Sequence, residues 1–175
     1  MKIILAHGRA LNRDSKDMAY LARAARARGL TVERVNDPDS QDYQLREARL
    51  RTLVAAEPEP VLLGGFSMGA HNAARVAAAL PERVRALFLI APPFYHPRYS
   101  ATPLPRPPQP LTLVHGWQDE VIPWEESLRY VREQADPARV QLLLVPAPHF
   151  FGSREALALL LGHFESFLAT QALTE

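Results

Sequence analysis

Six short runs of apolar, largely branched residues recur along the chain: Lys2–Ala6, Thr31–Val35, Pro60–Gly64, Ala86–Ala91, Leu111–His115 and Val140–Val145. Near-continuous apolar runs of this length predict strands buried on both faces. Most are followed by a longer stretch with helical spacing: Asp14–Arg28, Gln41–Ala56, Met68–Leu80, Trp124–Gln134 and Glu155–Thr170. The first helix carries Met18, Leu21, Ala22 and Ala25 on one face. Asp14 or Ser15 is its N-cap and Gly29 its stop. The second sets Leu45, Ala48 and Val54 inward and pairs Glu47 with Arg51 four residues on. The third is rich in Ala, so it can pack closely on a sheet. This alternation predicts a three-layer α/β/α sandwich around a mostly parallel sheet of about six strands.

One segment breaks the rhythm. Pro92–Pro110 holds eight of the sixteen prolines, in the place where a crossover helix belongs. Proline supports neither a helix interior nor a central strand, so this segment reads as a stiff, extended loop over one end of the sheet.

Composition narrows the chemistry. The chain has 175 residues, 47% apolar and 22% charged, with a formal charge of +1 and no cysteine. That length fits one domain over residues 1–175. A near-zero charge gives no field to favour nucleic acid or an anionic membrane. Without cysteine there is no disulfide, thiolate nucleophile or Cys-based metal site. Only four apolar residues separate Met1-Lys2 from His7. That is no secretory leader, and no run approaches the ~20 apolar residues of a membrane span. The expectation is a cytoplasmic protein with chemistry drawn from oxygen and imidazole groups.

Gly64-Gly65-Phe66-Ser67-Met68-Gly69 is the strongest motif. A strand precedes it and a helix follows. A G-x-S-x-G turn in that context forces Ser67 into a strained conformation at the C-terminal edge of the sheet, where the helix N-terminus favours negative charge. The plainer reading is a tight glycine turn. A phosphate loop is excluded, because Ala70-His71 stands where Lys-Ser/Thr is needed. No G-x-G-x-x-G follows the first strand, so a dinucleotide site has no support.

Serine needs a base. His149 follows the last strand in Val145-Pro146-Ala147-Pro148-His149-Phe150-Phe151, and its prolines keep it on a loop at the same sheet edge as Ser67. His115 also ends a strand, where Gly116 suggests a turn role. An orienting acid is needed to fix the base's tautomer. Asp119 lies just past a strand, with Glu120 as its neighbouring competitor; a turn or cap aspartate is the plainer reading. His115 and Asp119 without a third ligand fall short of a metal site.

Four motifs in order now carry a resemblance. These are His7-Gly8, Gly65-Phe66-Ser67-Met68-Gly69, His115-Gly116-x-x-Asp119-x-x-Ile122-Pro123 and Pro148-His149-Phe150-Phe151. The chain resembles the α/β-hydrolase superfamily, in its small cap-less branch of dienelactone-hydrolase-like and acyl-thioesterase-like proteins. The resemblance implies a minimal α/β-hydrolase fold with Ser67 as nucleophile, Asp119 as acid and His149 as base. It implies an oxyanion hole from the backbone N–H groups of Met68 and Arg9. The Arg9 side chain has two readings, a substrate carboxylate or phosphate contact and a solvated surface arginine. The expected reaction is hydrolysis of a small-molecule carboxylic ester or thioester, with no cofactor and no metal. Alternatives are C–C bond hydrolysis or perhydrolysis by the same residues, and a hydrolase-fold binding protein. Phe66, Trp117, Phe150 and Tyr95 are the expected substrate-binding side chains.

Overall fold

Strands form where the apolar runs predict them. In the computed structural model, which describes residues 1–9, 13–37, 41–100, 103–133 and 136–172, the order is β1 (Lys2–Ala6), α1 (Lys16–Ala27), β2 (Thr31–Arg34), α2 (Tyr43–Ala56), β3 (Val61–Phe66), α3 (Met68–Ala79), β4 (Val84–Ile90), β5 (Leu111–Gly116), α4 (Glu125–Glu133), β6 (Val140–Val145) and α5 (Arg154–Ala172). Gln134, the expected end of the fourth helix, lies outside the described residues.

The six strands make one parallel sheet in the order β2-β1-β3-β4-β5-β6. Two apolar layers cover its faces. One packs α1 and α5 through Met18, Leu21, Leu160 and Phe164 against Leu5, Phe88 and Val114. The other packs α2, α3 and α4 through Leu50, Val54, Ala73 and Tyr130 against Ile4, Leu63 and Leu89. Strands β1, β3 and β4 are sandwiched between these layers, which is why their sequences are almost wholly apolar.

The chain leaves β1 toward β2 on one side and returns through β3 on the other. The loops after β1 and β3 therefore part at the carboxyl edge. A crevice at such a switch point is where open α/β sheets bind ligands.

Helix α2 differs from its sequence reading. Its buried residues are Tyr43, Arg46, Leu50 and Val54, whereas Leu45 is 45% exposed and Ala48 is also exposed. Asp42 sets the phase by capping the helix, accepting from Gln44 N at 2.8 Å and Leu45 N at 3.2 Å. Glu47 does not pair with Arg51. It meets Arg75 of α3 at 2.5 Å, because the neighbouring helix brings a guanidinium closer than the same helix does. At α1 the cap position is Ser15, but its hydroxyl makes no capping bond.

The described parts of the proline-rich segment contain no α-helix or strand, only a turn at Phe94–Tyr95 and a short 3-10 turn at Pro97–Tyr99. The Gln109 side chain donates to Ala77 O at 3.2 Å and Pro81 O at 2.9 Å, and the Tyr130 hydroxyl donates to Pro105 O at 2.8 Å. Those bonds fix the segment without any ladder of its own. Among the described residues no helix is long and apolar enough to cross a membrane.

Candidate active site

Ser67 sits between β3 and α3 with φ 51° and ψ −119°. A non-glycine residue held there stores about 1–3 kcal/mol of backbone strain. Its N–H donates to Ile90 O at 2.8 Å, which ties the turn to β4. The glycines allow the sharp approach. A Cβ on Gly65 would lie 2.5 Å from the Gly69 carbonyl, and one on Gly69 would run into the carbonyls of Ala6 and His7. The turn is thereby pressed against the end of β1.

Asp119 is the centre of the polar network. Its Oδ2 accepts from His149 Nδ1 at 2.7 Å and from His115 Nε2 at 3.1 Å. Its Oδ1 accepts from Val121 N at 2.9 Å and Ile122 N at 2.7 Å. Burial alone would raise this carboxyl's pKa. The bonds from His115, His149 and Ile122 N outweigh burial and hold it well below the usual carboxylate range. Glu120 holds the main chain instead, its carboxylate accepting from the backbone N–H of His149 at 3.1 Å.

His149 is buried beside the ring of Phe66, at 4.9 Å between centroids. With Nδ1 engaged by Asp119, Nε2 is the nitrogen left to exchange a proton. It has no partner among the described residues, and neither does Ser67 Oγ. Both residues line one pocket of about 200 Å³. An aspartate-held imidazole and a serine hydroxyl in one cleft can accept a proton and attack a carbonyl, and such bonds often tighten only when substrate is bound.

A second buried network holds the loop after β1. Arg46, 3% exposed, donates to His7 O at 2.5 Å and Gly8 O at 3.2 Å. The same guanidinium reaches Met68 Sδ at 3.3 Å. His7 Nε2 accepts from Asp37 N at 3.0 Å, so its proton belongs on Nδ1, which donates to Gly8 O at 2.9 Å. Burial and the charge of Arg46 lower the His7 pKa, consistent with a neutral ring. No peptide bond is cis. A trans peptide opposes its C=O and N–H. Anchoring Gly8 O in this cluster therefore turns Arg9 N–H away from it, and Arg9 lines the Ser67 pocket.

The residues singled out in the sequence fall into two groups. Ser67, His149, Arg9 and Phe150 line the pocket, and Asp119 holds His149 from behind. Met68 is buried at the first position of α3, where a helix leaves N–H groups without intrahelical partners. Phe66, Trp117 and Tyr95 stand away from the pocket wall. Phe66 is core beneath His149. Trp117 is 54% exposed. Tyr95 bonds Glu133 at 3.2 Å and lies under the Arg129 guanidinium.

The sequence suggested a turn role for His115 and did not single out Arg46. His115 is fully buried; its Nε2 also contacts Ile122 O at 3.0 Å and its Nδ1 meets Ser127 Oγ at 2.7 Å. A carbonyl on Nε2 requires a proton there, so His115 donates to Asp119. The signal was present as His115 four residues before Asp119. Arg46 gave none beyond a charge interrupting the face that Tyr43 and Leu50 define.

The family model described as "Alpha/beta hydrolase family" matches residues 3–173. An alpha/beta-superfamily protein from Xanthomonas campestris pv. campestris is 31% identical, with 97% of this chain and 98% of that chain covered and a TM-score of 0.82. A second X. campestris protein, described as a member of a/b serine hydrolase without lid, is 25% identical over 97% of this chain and 82% of that one, at a TM-score of 0.75. An alpha-beta serine hydrolase homologue from Coxiella burnetii is 25% identical over 96% and 85%, at a TM-score of 0.76. Among curated proteins, none matches the chain.

Proposed function

Since the chain belongs to the α/β-hydrolase family, we propose that it is a serine hydrolase of carboxylic esters or thioesters, acting as a single cap-less domain over residues 1–175. The observation that carries this reading is the 2.7 Å bond from His149 Nδ1 to Asp119, with Ser67 held at φ 51° in the same pocket. Ser67 Oγ attacks the carbonyl carbon while His149 Nε2 takes its proton. Asp119 fixes the tautomer and stabilises the imidazolium. The N–H groups of Met68 and Arg9 receive the developing oxyanion; one such donor is worth about 10²–10³ in turnover. His149 then returns the proton to the leaving group. Water attacks the acyl-enzyme by the same path and frees Ser67. No cofactor takes part.

Fluorophosphonate labelling tests the nucleophile. Ser67 is expected to label, and Ser67→Ala to lose both labelling and hydrolysis of a short-chain p-nitrophenyl ester. A folded parent protein that fails to label would favour a binding role instead. Equal hydrolysis by Ser67→Ala would sink the proposal.

A further inference from the structure

Two kinds of side chain line the pocket beside Ser67. Pro93, Val121, Ile122 and Phe150 are its apolar lining. Arg9, Arg98, Tyr99 and His96 are polar and line it with Ser67 and His149. No acidic side chain lines the pocket among the described residues. Arg98 forms no ion pair among them, and Arg9 bonds only the neutral amide oxygen of Gln41, at 3.0 Å.

The neighbouring carboxylates are already committed. Asp119 accepts four hydrogen bonds and its side chain is fully buried. Asp37 is held by Arg49 at 2.5 Å. Glu120 faces the His149 backbone and Glu126 accepts from Tyr95 N. None of them lines the pocket, and among the described residues none forms an ion pair with Arg9 or Arg98. Burial raises the pKa of the Tyr99 hydroxyl, while the charges of Arg98, Arg9 and Arg46 all pull it back down. Arg9 from the loop after β1 and Arg98 and Tyr99 from the proline-rich segment line this same pocket.

We propose that this pocket selects a substrate carrying a carboxylate remote from the bond being cleaved. The apolar lining residues take the carbon chain or ring, and Arg98 with Arg9 takes the anion. Guanidinium forks bind carboxylates through charge-assisted, bidentate hydrogen bonds. The inference rests on the ester-hydrolase reading for the position of the reacting carbonyl.

Matched ester pairs test it. One pair is 4-nitrophenyl hydrogen adipate and its methyl ester, which places the charge on the acyl side. The other is 4-acetoxybenzoate and 4-acetoxybenzamide, which places it on the leaving group. Rates are normalised to hydroxide-catalysed hydrolysis. The charged member of at least one pair is expected to have about tenfold higher kcat/KM at low salt, with the preference shrinking as salt screens it. Arg98→Gln is expected to bring the ratio of charged to neutral rates down to within about threefold. Equal or better rates for the neutral member of both pairs would overturn the anion site while leaving the hydrolase reading intact. Hydrolysis of none of the four would refute the hydrolase reading instead. Calorimetric titration of Ser67→Ala with monomethyl adipate and with dimethyl adipate then decides the anion site without turnover. Tighter binding of the anion supports it and equal binding overturns it.

Discussion

Asp119→Asn changes one atom and should abolish most of the activity. The carboxylate receives four donors, two on each oxygen: Val121 N and Ile122 N on Oδ1, His149 Nδ1 and His115 Nε2 on Oδ2. Asparagine offers one carbonyl oxygen and one NH₂ group. The backbone N–H groups cannot change their protonation, so the carbonyl stays with them and the NH₂ faces the imidazoles. His115 keeps an acceptor for its Nε2–H in Ile122 O at 3.0 Å. His149 Nδ1 must then accept from the amide, which moves its proton to Nε2. An Nε2–H is unable to take the Ser67 proton. The expected loss in turnover is about 10⁴-fold, or about 5.4 kcal/mol at 1.36 kcal/mol per decade. Steady-state hydrolysis of a p-nitrophenyl ester measures the loss, and nitrogen-15 NMR of the His149 ring reports the tautomer. The same substitution has a pH signature. The folded pKa of Asp119 lies below its ordinary 3.8. Its contribution to stability is therefore fully present above about pH 3.8 and is lost as pH falls through the lower folded value. Asp119→Asn should flatten the acid limb of the stability curve below pH 3.8. Turnover within tenfold of the parent, or an unchanged ring tautomer, would refute the reasoning.

Three further substitutions follow from the same geometry. Arg46→Met removes the donors on His7 O and Gly8 O that orient the Arg9 peptide; kcat should fall about 10–100-fold with KM little changed, and an unchanged kcat in folded protein would exclude this positioning role. Gly69→Ala drives a methyl group into the Ala6 and His7 carbonyls, costing about 3 kcal/mol and lowering Tm by about 6–12 °C in a thermal melt; an unaltered Tm would show that the close approach is not required. Asp17 is buried with Oδ2 unpartnered, and burial raises its pKa above the ordinary 3.8. Its charged form therefore costs stability at neutral pH, and the cost vanishes as pH falls below the unfolded value. Asp17→Asn should raise Tm at pH 8 and lose that advantage near pH 3; a lower Tm at pH 8 would indicate that the carboxylate serves the helix N-terminus instead.

The strand pattern was legible because a sheet covered on both faces leaves no room for polar positions in its central strands. β1 and β6 fall on their sequence-predicted residues, and the other strands shift by only one or two at an end. Ser67, Asp119 and His149 were legible for a related reason. Each follows a strand of a parallel sheet, so each must emerge at the same carboxyl edge. Chain order alone then brings together residues far apart in sequence. The aromatics were not legible, because hydrophobicity does not say whether a ring faces the pocket, the core or solvent. Phe66, Trp117 and Phe150 are all aromatic and all follow or end a strand's neighbourhood, yet only Phe150 lines the pocket.

Arg46 and the role of His115 were hidden for a different reason, and it bears on how the site is held. Burying a guanidinium at 3% exposure is costly unless its donors are satisfied. Those donors meet backbone carbonyls of the loop after β1. Any sequence supplies such carbonyls, so no motif advertises the contact. His115 likewise uses a backbone carbonyl and a serine hydroxyl to fix the proton it offers Asp119. In both networks a buried cationic or imidazole group stands one step behind the pocket: Arg46 behind the Arg9 peptide, His115 behind the carboxylate that holds His149. Removing either should alter turnover more than substrate binding, since neither lines the pocket. The candidate residues stand on loops, and those loops are held by polar side chains buried in α2 and at the end of β5.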